Sequence, residues 1–155
     1  MRSQKIRNAL RNSLEARQGQ AYNEEAFRYL LAIERVRSER SGCPFVLLLV
    51  DLMNRAGEDT RIDSKLARCL FSNVLHCVRE TDFVGWSRED YAVGAVLTTL
   101  DGHSPTAISS LVAERVRTQL RKGLASDVAP RLHVRLYHCP ELAQIEFRYD
   151  LESVT

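Results

Sequence analysis

The chain has 155 residues, of which 45% are apolar and 27% charged, and a formal net charge of +2. That length fits one domain that can bury a core without disulfides or metals. The small net charge gives no footprint for nucleic acid, and the longest apolar run, Phe45 to Val50, is far too short to span a membrane. The cysteines at 43, 69, 77 and 139 form no Cys-x-x-Cys pair, so they read as reduced thiols rather than zinc ligands. The charged opening Met1-Arg2-Ser3-Gln4-Lys5 has no apolar signal core, and a cytoplasmic location is the expectation.

In chain order, residues 2–18 carry Ile6, Leu10 and Leu14 four apart among polar residues, one apolar stripe on a helix that ends near Gly19. Asn23 is a good N-cap for a second helix, whose Ala26, Phe27, Leu30, Leu31, Ile33 and Val36 keep a helical period. Ser41-Gly42-Cys43-Pro44 stops it. The run Phe45 to Asp51 predicts a central strand buried on both faces and ending in a carboxylate. Residues 54–63 read as a loop around Gly57, and 63–78 as a helix with Leu66, Leu70, Val74 and Cys77 on one face.

Two strands are expected over 82–86 and 90–98, joined by a turn at Ser87-Arg88-Glu89, with Trp86 beside it placed to pack under the turn or to stack on a base. Ser104 and Pro105 then open a helix that reaches Lys122, with Gly123 just past its end. Leu132 to Tyr137 alternates as a strand should, and residues 144–149 suggest an edge strand. This order predicts one mixed sheet flanked by helices, an α/β (α+β) architecture, with residues 1–19 as a separate N-terminal helix and 20–155 as the domain. His76, His103, His133 and His138 share no metal-type spacing, so no metal site is expected from them.

Several local patterns in this order resemble the GGDEF family, whose fold is shared with nucleotide cyclases. Tyr22 to Phe27 is similar to the family's helix-opening "PNRRAF", and Phe45 to Asp51 to its first strand. Arg79-Glu80-Thr81-Asp82 resembles the family's RxxD motif, and Arg88 to Val93 sits where "GDEFAV" is expected. Val112 to Arg117 resembles its "AERLR" helix, and Cys139-Pro140 its "YP" turn. The resemblance covers residues 20–140. It departs after the "YP" turn, where a strand-like tail replaces a helix, and between Asp51 and Asp82, which is a few residues short.

Family members join two GTP molecules, which requires carboxylate-held metal ions and close backbone approach to the nucleotide. The resemblance implies Asp51 as one metal carboxylate and Glu89 or Asp90 as another. Asp51 reads equally well as a strand-end carboxylate in solvent or capping a turn. The two hairpin glycines are replaced by Ser87 and Arg88, so the catalytic motif is degenerate across Ser87, Arg88, Glu89, Asp90 and Tyr91. The loop after the first strand lacks the family's Lys, Asn and Asp pattern, and Asn54, Arg55 and Asp59 do not fit its spacing. No catalytic residue is therefore assigned, and no cofactor is required.

Arg79, Asp82 and Arg115 match the family's inhibitory site. An Arg fork suits a phosphate or a guanine edge, and a carboxylate can accept from guanine N–H groups. The expectation is a catalytically inactive GGDEF-like domain that acts as a cyclic di-GMP receptor and regulates a partner protein, with homodimerisation also considered. The alternatives are a ligand-free interaction or dimerisation module working through the N-terminal helix, and a residual diguanylate cyclase.

Overall fold

The computed structural model describes residues 21–79, 82–98, 114–116, 118–139 and 146–150, with Cys139 and 146–150 described by backbone alone. The N-terminal helix expected over 2–18 lies outside these residues, as do Ser104 and Pro105.

Helix α1 (Glu24–Ser41) starts where Asn23 accepts the Ala26 N–H at 2.8 Å, with Glu24 and Glu25 in its first turn. It stops at Gly42, whose left-handed φ of 72° closes the C-cap on the Ser38 carbonyl. Strand β1 (Phe45–Met53) follows, then a tight turn and the two-residue β2 (Asp59–Thr60). Helix α2 (Ser64–Leu75) is capped by Asp63, which accepts the Leu66 N–H at 2.8 Å. β3 (Phe83–Arg88) and β4 (Ala92–Leu97) form a hairpin. Residues 114–116 and 118–120 are helical, and a 3₁₀ turn over Ala129–Arg131 leads into β5 (Leu132–Cys139) and β6 (Glu146–Asp150).

The sheet runs β3-β4-β1-β5-β6, with β2 added to the end of β1. The ladders between these strands are antiparallel, and Tyr22 makes an isolated parallel bridge to Gly85. The expected loop over 54–63 is thus partly a hairpin. Pairing of Leu52 and Met53 with Thr60 and Asp59 carries β1 two residues beyond Asp51. Asp51 therefore lies inside the strand rather than at its end.

Because side chains alternate along a strand, β1 feeds two cores. Val46, Leu48, Val50 and Leu52 join α2 residues Leu70 and Val74, together with Val116 and Leu120. Phe45 and Leu47 face the other way, onto Tyr22, Ala26 and Phe27. Trp86 packs edge-on to Phe71, ring centroids 4.9 Å apart, in keeping with a role beneath the turn.

The α1 face depends on a notch in the hairpin. Gly85 and Gly94 are cross-strand partners. A Cβ on Gly85 would sit 2.6 Å from the Tyr22 carbonyl oxygen, and one on Gly94 would sit 2.6 Å from Phe27 Cζ. Phe27 is fully buried and cannot retreat. Gly94→Ala should therefore cost about 1–3 kcal/mol by overpacking in urea unfolding. The same change should cost clearly less in a Phe27→Leu background, where the ring tip is gone. Equal costs in the two backgrounds would mean that the ring is not what the methyl meets.

Candidate functional site

The β3–β4 turn carries the degenerate motif, and its side chains are taken up by neighbours. Asp90 sits at φ 64°, a left-handed conformation that Asp tolerates better than most residues. Arg88 reaches Asp59 on β2 at 3.1 Å and lies 4.6 Å over the Tyr91 ring. Arg61 reaches Asp90 at 3.1 Å, and the Asp90 carbonyl accepts the Ile62 N–H at 2.7 Å. From the other side, Arg28 donates to the Ser87 carbonyl at 3.0 Å and Glu24 accepts the Glu89 N–H at 2.8 Å. These ion pairs are half exposed, so each adds little stability. Their effect is to fix the turn between β2 and the first turn of α1.

Asp51 is buried, with only 5% of its surface exposed. Register decides its surroundings. It lies opposite His133 on β5 and opposite Ala92 on β4, while Arg135 stands opposite Leu49. Arg135 donates to Asp51 Oδ2 at 2.9 Å, and His133 Nδ1 lies 3.4 Å from Oδ1 without forming a hydrogen bond. The Arg135 guanidinium holds one carboxylate oxygen of Asp51 and sets a positive charge beside it, which disfavours a divalent cation at this carboxylate. Asp90, the hairpin carboxylate implied as a second ligand, is engaged by Arg61, and Glu89 is exposed. Among the described residues no group of three or more His, Cys, Asp or Glu side chains could hold a metal ion.

The RxxD segment lies at the other end of the sheet. Arg79 N–H donates to Asp82 Oδ2 at 2.9 Å, and the Asp82 N–H returns to the Arg79 carbonyl at 3.0 Å. Asp82 Oδ1 accepts the Thr98 N–H at 2.9 Å, and the Arg79 guanidinium donates to the Thr98 carbonyl at 2.7 Å. Asp82 is 5% exposed. Its carboxylate therefore braces the turn into β3 against the end of β4, where the sequence suggested an acceptor facing a ligand. Arg79 and Arg115 are both exposed. Cys77 donates to the Arg115 carbonyl through a 3.8 Å contact, which places the Arg115 backbone beside the end of α2, two residues before Arg79. Burial pushes the Cys77 thiol up from its ordinary 9.0, with Arg115 and Lys122 opposing.

No family model matches the sequence, and no curated protein matches it. Solved structures do match in shape. A DGC protein from Thermotoga maritima superposes with a TM-score of 0.55 at 16% identity, covering 80% of this chain and 86% of that one. The GGDEF domain of TpbB (YfiN) from Pseudomonas aeruginosa gives 0.57 at 15% identity, covering 77% and 72%. The GGDEF domain of DgcB from Caulobacter crescentus, in complex with c-di-GMP, gives 0.55 at 10% identity, covering 76% and 72%. This chain has the GGDEF fold. Within that fold, the basic partners of Asp51 escaped sequence reading. The alternation along Leu132 to Tyr137 puts His133 and Arg135 on one face, but only register brings that face to Asp51. Arg61 and Asp59 escaped for the same reason, because their contacts cross 29 positions of sequence.

Arg135→Leu, which leaves a buried carboxylate beside an imidazole alone, should cost about 3 kcal/mol or more in urea unfolding. Removing both charges, in Asp51→Leu with Arg135→Leu, should cost much less. If the double variant is no better than the single one, the two side chains do not act as a pair.

Proposed function

We propose that this GGDEF-fold domain reads cyclic di-GMP rather than making it, and conveys its state to a partner protein. The observation that carries this reading is the engagement of Asp51 by Arg135 across β1 and β5. A carboxylate already neutralised by a guanidinium is poorly suited to gather metal on a triphosphate. Support on the recognition side comes from Arg79 and Arg115, two exposed guanidinium groups carried near the end of α2. Asp82 holds the Arg79 turn, and the arginines make the ligand contacts. A stacked or bent dinucleotide offers such groups two phosphates and guanine edges.

Calorimetry with cyclic di-GMP should give saturable binding to the wild type at about tens of micromolar or tighter. Arg115→Ala and Arg79→Ala should each weaken it about tenfold or more. Incubation with GTP and magnesium should yield no cyclic dinucleotide. Absent binding, affinity indifferent to both substitutions, or product from GTP would each overturn the reading.

A second reading rests on α1. Tyr29, Ile33 and Val36 are 36%, 38% and 48% exposed and share one helical face, which suits an interaction module. Light scattering should then show a mass above the monomer that falls in Ile33→Glu, and a mass unchanged by that substitution would exclude self-association through this face.

A further inference from the structure

The exposed face of α1 has a complement in the chain's own opening segment. Tyr29, Ile33 and Val36 fall four and three apart, so they form one stripe along the helix. They stay exposed while Ala26 and Phe27 of the same helix are buried against the sheet. Three large apolar side chains in line on a surface helix form a contact face.

Residues 1–20 precede this helix and lie outside the described residues. Their sequence repeats Ile6, Leu10 and Leu14 at helical spacing, and Arg17 continues the line toward the connection. That connection is short. It runs from Gly19, where the first helix is expected to stop, to Asn23, the N-cap of α1. Five residues is a usual length between two antiparallel helices. Its far end is fixed, because the Tyr22 N–H donates to the Val84 carbonyl and the Tyr22 carbonyl accepts the Trp86 N–H, both at 2.9 Å. The opening segment is therefore tethered at the first turn of α1.

Folding the chain about residue 21 puts the two stripes in register. Leu14 falls opposite Tyr29, Leu10 opposite Ile33 and Ile6 opposite Val36, each pair equidistant from the fold point to within one residue. Arg17 falls opposite Glu25, which is exposed one turn before Tyr29. The two apolar stripes are each about 10–12 Å long at the rise of an α-helix. Slipping the segment by two residues would instead set Asn12 against Tyr29 and Asn8 against Ile33.

We propose that residues 2–18 fold back as a helix antiparallel to α1 and cover the Tyr29, Ile33 and Val36 face of the same chain. The tether favours this occupant over a second copy, because a segment on so short a linker is held at about millimolar effective concentration. The docked helix braces α1, whose Glu24 and Arg28 in turn hold the β3–β4 turn. This covering is independent of the cyclic di-GMP reading and competes with self-association through the same face.

The test is methyl NMR of the intact chain, joined to amide hydrogen exchange. Leu10 methyls should contact those of Ile33, and Ile6 those of Val36. In an equimolar mixture of differently labelled chains, no such contact should cross between chains. Amides 6–17 should exchange about tenfold faster or more in Ile33→Asp, because a lone helix of this length is marginal in water. Amides 46–52 should keep their protection, since Ile33 belongs to neither core cluster. If they lose it, Leu10→Asp decides instead, by loss of the Ile6–Val36 contact. The proposal is overturned by absence of the Leu10–Ile33 contact, or by contacts that cross between chains, which would assign the face to a second copy. Exchange at 6–17 indifferent to Ile33→Asp in a folded domain would overturn it equally.

Discussion

A strand enclosed on both faces and both edges has no place to send a charged side chain. β1 is such a strand: β4 and β5 flank it, and cores fill both of its faces. Every residue it contributes must be apolar or compensated, because an unpaired buried carboxylate is costly. Asp51 is the exception, and Arg135 and His133 on β5 are its compensation. That constraint links the interior of the fold to the question of chemistry. A carboxylate charge already offset by a guanidinium attracts a further cation less strongly.

The hairpin tells a related story in solvent. Where glycines would keep a turn bare, this chain carries Ser87 and Arg88, and Arg88 is folded onto Tyr91 and Asp59. Arg61 and Glu24 hold the rest of the turn. Glycine is kept at Gly85 and Gly94 instead, where Phe27 needs the space. Close approach in this hairpin is thus used for packing α1 onto the sheet.

These features separate the two ends of the sheet. At one, the Arg79–Asp82 turn is braced against Thr98 and presents an exposed guanidinium. At the other, Asn54 hydrogen-bonds the β1–β2 turn closed beside Arg55 and Arg131.

Much of this was legible in the residues. Asn23, Asp63 and Gly42 mark helix ends because their side chains, or the lack of one, act within three or four residues. Phe45 to Val50 announced a doubly buried strand, and the alternation at 132–137 and 144–149 announced the last two strands, because period and burial are local in sequence. The β2 strand was missed because two residues carry no period, and pairing with Met53 alone defines them. The candidate site was legible by residue type and not by role. The sequence alone determined which carboxylates and arginines exist and which elements carry them. Only the tertiary structure decided that Asp51 faces Arg135, because strand register sets neighbours 84 residues apart that no local pattern encodes, and that Asp82 turns inward, because Thr98 at the end of β4 completes a bracket that the Arg79 N–H only begins.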